Sequence, residues 1–122
     1  MIMNMLSGAQ SKEISQLFKL VSHPFRIRLL LTLAEGEACV CHLESLLGKR
    51  QAYISQHLMA LREFGFISAR RDGKFVFYKL EDLGLLTLIR QAAELQGFEF
   101  DKRELSAQLQ ADICECPNCG PH

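Results

Sequence analysis

The chain has 122 residues, 48% of them hydrophobic and 23% charged, a balance that describes one compact globular domain and excludes wholesale disorder. No apolar run approaches the roughly 18 residues of a membrane span. Met1–Leu6 lacks the basic stretch that opens a signal peptide, so the expected compartment is the cytoplasm. Formal net charge is zero, yet residues 49–80 hold seven basic side chains against two acidic ones, a +5 segment in a chain that is −5 elsewhere. Attraction to phosphate needs such a segregated charge.

In chain order, residues 11–22 set Ile14, Leu17, Phe18 and Val21 at the spacing of an amphipathic helix, and His23-Pro24 ends it. Pro24 suits the first turn of a second helix, reaching about Ala34 with Phe25, Leu29, Leu30 and Leu33 inward. A third helix over about Val40–Leu47 stops at Gly48, a left-handed cap. A fourth spans about Gln51–Phe64, with Ile54, Leu58 and Leu61 as its core line and Gln56 nearly opposite. Two short helices across so tight a turn make a helix-turn-helix. Phe66–Arg71 and Lys74–Leu80 read as a hairpin turning at Asp72-Gly73, both positions of which favour positive φ, and a basic hairpin in this place is a wing. A fifth helix over about Asp82–Gln96 carries too many leucines and alanines for one stripe, so with the first helix it is the expected dimer interface. Asp101–Glu104 resembles a capping box that opens a short polar helix before a loop-like tail. The expected organisation is an extension over 1–10, a winged helix-turn-helix for DNA binding and dimerisation over 11–98, and a C-terminal helix with a cysteine-rich tail over 99–122. The fold class is mainly α with a small β-hairpin.

A major groove admits one helix, and side chains near the helix start read base edges. Here the start offers Arg50, Gln51, Tyr53, Ser55 and Gln56. Gln56 is the best base reader, since glutamine bonds adenine through two hydrogen bonds. Arg50 and Ser55 suit phosphates, and Arg62 reaches for the backbone further along. Arg70, Arg71 and Lys74 at the wing add phosphate or minor-groove contacts. His57, on the flank of the core line, is expected to pack rather than to touch a base.

Glu37–Leu43, Gln51–Leu58, Leu61-Arg62 and Arg71–Tyr78, in that order, resemble the ArsR/SmtB family of bacterial metal-responsive repressors over about residues 11–96. The resemblance implies a dimeric winged-helix repressor that leaves its operator when an inducer binds. One departure is Arg50, where the family commonly opens the recognition helix with serine.

The five cysteines fall into two clusters, Cys39/Cys41 and Cys114/Cys116/Cys119. In a reducing compartment this clustering points to metal ligation or redox chemistry rather than a disulfide framework. Thiolates favour Zn(II), Cd(II), Pb(II), Cu(I) or As(III) over hard cations, and the predicted start of the third helix, where Cys39-Val40-Cys41 sits, is expected to lower a thiol pKa. In the family, Cys-Val-Cys here marks the soft-metal site of arsenic, cadmium and lead sensors, and the arsenic version has a further cysteine where this chain has Glu44. The tail motif, turned at Pro117-Asn118, supplies the missing sulfurs alone or joined to Cys39 and Cys41. His42 and His122 are expected at the surface. The family's other site, on the fifth helix, is absent by the same resemblance: Asp82 is present, but Gly84, Leu95 and Phe98 stand where further ligands would follow.

The expectation is therefore a homodimeric repressor on double-stranded operator DNA, released by a soft metal or metalloid at cysteine thiolates. Bridging Cys39 and Cys41 to the tail would pull on the third helix and spoil the half-site spacing. A thiol-redox or persulfide input on the same fold is the main rival, and a metal-binding protein without an operator is a distant third. Nothing resembles an enzyme: no nucleophile–base pair, phosphate-cradling loop or paired carboxylates stand at useful spacing. No organic cofactor and no membrane partner are expected.

Overall fold

Short side chains that satisfy first-turn amides set where most of the helices begin. In a computed structural model, which describes residues 7–99, the order is α1 (Gly8–Val21), α2 (Pro24–Ala34), β1 (Ala38–Cys39), α3 (Val40–Leu47), α4 (Gln51–Glu63), β2 (Ile67–Asp72), β3 (Phe75–Leu80) and α5 (Leu83–Leu95). Ser7 and Gln10 close a reciprocal capping box, so α1 starts at Gly8, earlier than its apolar spacing alone suggested. His23 Nδ1 accepts from the Phe25 amide at 3.1 Å, with Pro24 at the first helical position. Cys39 Sγ accepts from the His42 amide at 3.4 Å to open α3, and Asp82 accepts from the Gly84 amide at 2.9 Å to open α5. Helix α4 alone of the five begins, at Arg50, with no side-chain cap. The anticipated helix at Asp101 and the tail cysteines Cys114, Cys116 and Cys119 lie outside the described residues.

The strands form an antiparallel sheet in the order β1-β3-β2. The two-residue strand β1 was not anticipated, being too short to show alternation; it pairs Ala38 with Tyr78 and Cys39 with Phe77. The hairpin turn is also one residue later than expected. Asp72 pairs with Phe75, so Gly73-Lys74 makes the turn, and only Gly73 has positive φ, at 63°. That is the II′ pattern, with glycine first, rather than one that needs two left-handed residues.

Leu29, Leu30 and Leu33 of α2, Leu43 of α3, and Ile54, Leu58 and Leu61 of α4 make the dry centre, closed by Ile67, Leu80 and Leu85. Gly48, left-handed at φ 67°, ends α3 and hands the chain to α4 in the expected tight turn. Helices α3 and α4 are thus held by one core, while a smaller cluster of Cys39 and Phe77 lies beneath the wing. On the other side, Phe18 of α1 and Leu88, Ile89, Ala92 and Ala93 of α5 line an almost wholly apolar groove of about 320 Å³, and Phe18 is half exposed.

Candidate nucleic-acid interface and cysteine site

Ile54, Leu58 and Leu61 turn one side of α4 into the core, which leaves Arg50, Gln51, Gln56 and Arg62 exposed. The sequence grouped Tyr53 and Ser55 with them, but the structure does not. Tyr53 is half buried; its ring meets Phe25 edge-on at 5.0 Å and His57 at 4.7 Å, with Lys49 Nζ 5.4 Å from its centre. Ser55 is half exposed and shares a cavity with Gln51.

His57 packs as expected. It is 7% exposed, and Arg26 Nε donates to its Nδ1 at 2.9 Å while Arg26 Nη1 donates to the Leu20 carbonyl at 2.9 Å. One guanidinium therefore ties the end of α1 to the inner face of α4. Burial pushes the His57 imidazole below its ordinary pKa, and the charges of Arg26 and His23 push the same way. The His23 ring lies 4.5 Å away. Arg26 carries this link from α2, and nothing in its spacing announced a partner 31 residues on.

The wing divides its charge. Arg71 and Lys74 are exposed near the turn, with Lys74 Nζ 5.4 Å from the Phe75 ring. Arg70 is tied down instead. Its Nε and Nη2 donate to the two carboxylate oxygens of Glu37 at 2.8 and 2.7 Å, and its guanidinium lies 4.7 Å from the centre of the Phe77 ring. The hydrogen bond to Glu37 raises the Arg70 pKa above its ordinary value, with the carboxylates of Glu37 and Asp72 adding to it against partial desolvation. Sequence reasoning missed Glu37, which stands 33 residues from its partner.

Cys39 and Cys41 are joined as a disulfide, with their Cα atoms 5.4 Å apart. Cys39 is buried and Cys41 half exposed. A cavity of about 220 Å³ lies against the pair, lined also by Glu44, Gln51, Ser55, Lys74 and Tyr78, so it touches α3, α4 and the wing together. Two sulfurs fall short of the three or four donors a soft ion takes. Among the described residues no set of three His, Cys, Asp or Glu is gathered to hold one. His42 corrects the expectation of a surface histidine: it is buried, because α3 packs on β1 and β3, and its Nδ1 lacks a hydrogen-bond partner among the described residues. Asp82 is engaged as the cap of α5.

A helix-turn-helix at α3–α4 followed by the β2–β3 hairpin defines a winged helix-turn-helix protein. The chain belongs to the arsR family of bacterial regulatory proteins, DNA-binding transcriptional regulators rather than enzymes, and the family model matches residues 23–69. It is 40% identical over 80 residues to the biofilm growth-associated repressor of Xylella fastidiosa (strain Temecula1 / ATCC 700964), spanning 66% of this chain and 70% of that protein. It is 46% identical over 66 residues to the arsenical resistance operon repressor of Escherichia coli (strain K12), spanning 53% of this chain and 56% of that one. The crystal structure of the AntR antimony-specific transcriptional repressor superposes with a TM-score of 0.70 at 27% identity, covering 78% of this chain and 86% of that one. No helix among the described residues is long and apolar enough to cross a membrane.

Proposed function

We propose that this chain is a homodimeric, cytoplasmic repressor that holds a palindromic operator through α4 and the wing and releases it when Cys39 and Cys41 capture a soft metal or metalloid ion. The observation that carries the DNA reading is the start of α4. Its first-turn amides have no side-chain cap, Arg50 and Gln51 stand exposed beside them, and Gln56 is exposed one turn further on. Unsatisfied amides and the positive end of the helix dipole favour phosphate, and the exposed glutamines face outward to read base edges. Arg62, Arg71 and Lys74 extend the cationic track. The apolar groove between α1 and α5 supports pairing with a second copy, which would bury Phe18 and set two α4 helices at half-site spacing.

As(III), Cd(II), Pb(II) or Zn(II) is the inducer class, in keeping with the names of the arsenical and antimony repressors that the chain resembles. With their disulfide reduced, Cys39 and Cys41 supply two neighbouring thiolates, and Cys114, Cys116 and Cys119 supply the remaining sulfurs. Anisotropy of a labelled duplex from the chain's own promoter, titrated with each ion under reducing anaerobic conditions, tests this. Release of about 5- to 150-fold is expected from one of the ions. Cys39→Ser should keep operator affinity and abolish that release, and an unaltered response would remove Cys39 from the site. The Cys39–Cys41 pairing favours one second reading, a thiol-redox input acting on the same helix start. In that case release follows oxidation, and no ion acts on the reduced protein.

A further inference from the structure

Cys39 belongs to two elements at once. It caps α3, and in β1 it pairs with Phe77 of β3, which in turn pairs with Arg70 of β2. Cys39, Phe77 and Arg70 therefore form one row across the sheet. Side chains in a row share a face. The buried Phe77 ring accordingly packs with Cys39 on one side and lies beneath the Arg70 guanidinium on the other. Glu37, two residues before Cys39, closes the circuit by accepting both arms of the Arg70 fork.

We propose that Glu37 and Arg70 are positioning residues that latch the wing to the cysteine-bearing strand, so that a chemical change at Cys39 moves Arg71 and Lys74 as well as α4. The inference rests on Cys39 being part of the sensing site, as proposed above. A planar fork on a carboxylate fixes orientation as well as distance, which a single point contact does not. Both partners keep substantial solvent exposure, so the pair contributes geometry rather than stability. A lone two-stranded ribbon twists easily, and the latch together with β1 gives this one a third line of attachment. Arg70, which the sequence grouped with the phosphate contacts, acts through the wing.

Glu37→Gln, Arg70→Gln and the charge-swapped pair Glu37→Arg/Arg70→Glu, made in the full chain, test this by promoter-duplex anisotropy with and without Cd(II) under reducing conditions. In the latch reading, Glu37→Gln keeps ion-free affinity within about twofold, as surface substitutions do. The Cd(II)-driven release shrinks toward nothing in both single variants, and the swapped pair restores it. If Arg70 is instead a phosphate ligand, Arg70→Gln lowers the salt slope by about 1. Glu37→Gln then tightens binding, and Cd(II) releases both variants as it does the wild type, a pattern that overturns the latch. Should Cd(II) fail to release the wild type, the Cd(II) form of the sensing proposal fails, and the latch is judged by amide exchange over residues 67–80. Cys39→Ser then changes wing exchange in the wild-type background and leaves it unchanged in Glu37→Gln. Equal changes in both backgrounds overturn the proposal.

Discussion

The start of α4 and the wing look alike in sequence, two basic stretches within one +5 segment, yet they hold their charge in opposite ways. At α4 the helix opens without a cap, and Arg50, Gln51 and Gln56 are exposed with no ion pair or side-chain hydrogen bond among the described residues. In the wing, Arg70 is committed to Glu37 and Phe77, and only Arg71 and Lys74 stand clear near the turn. Summed charge is blind to this difference, because a cation that already has a carboxylate offers little to a phosphate. The comparison teaches that charge of the same sign is left open at the helix start and partly tied into the fold in the wing.

The sharpest way to break the comparison is to remove what anchors the wing. Phe77→Ala should cost about 3–5 kcal/mol of stability, read from urea unfolding, because the ring is fully buried beneath Arg70. A loss below about 1 kcal/mol would mean that the wing does not depend on this ring for its anchorage. The next effect belongs to α4. Gln56→Ala should lose about 1–3 kcal/mol of preference for the promoter over scrambled DNA. An equal loss on both duplexes would reassign Gln56 to the backbone. Smaller still is Arg50→Ser, which supplies the missing cap and should add about 1 kcal/mol of stability. The same change should reduce the dependence of log K on log salt by about 1, since one phosphate contact is lost. Gain in stability without loss of salt dependence would show Arg50 to be a poor cap and nothing more.

Much of this was legible in advance because it is written in local chemistry. Pro24, Gly48 and the apolar spacing of α2–α4 placed the helix-turn-helix, and Leu29, Leu30, Leu33, Ile54, Leu58 and Leu61 fell inward as their periodicity required. What could not be read depended on partners far along the chain. Strand β1 exists because Cys39 meets Phe77 across 38 positions, and a two-residue strand leaves no periodic trace. Burial of His42 follows from that strand, as does the engagement of Arg70, since Glu37 leads directly into β1. Tyr53 shows a related effect: Phe25, on α2, meets its ring edge-on and leaves it half buried, which its place on α4 alone did not show. The candidate site was thus visible where one helix surface decides it, and hidden where three strands meet.

The remaining prediction concerns how α4 itself is held, and its effect is confined to a window of pH. His57 Nδ1 accepts the Arg26 N–H, so a proton at that nitrogen breaks the tie between α2 and α4 and places a cation beside a guanidinium. Burial first, then Arg26 and His23, hold its pKa below the ordinary value. The unfolded chain, with His57 near its ordinary pKa of about 6.5, takes up a proton before the folded chain does. Stability therefore falls as pH drops from about 6.5 toward the folded value, and His57 contributes no slope above or below that window. His57→Gln, whose side-chain oxygen can still accept from Arg26, should flatten the urea-unfolding profile below about pH 6.5 relative to the wild type. The loosening should reach α4 and spare the wing, since Arg26 and His57 touch neither Glu37 nor Arg70 among the described hydrogen bonds. Promoter affinity should then weaken at low pH while amide exchange over residues 67–80 stays unchanged. If the two profiles coincide, the pH response arises elsewhere and the link from Arg26 to His57 serves packing alone.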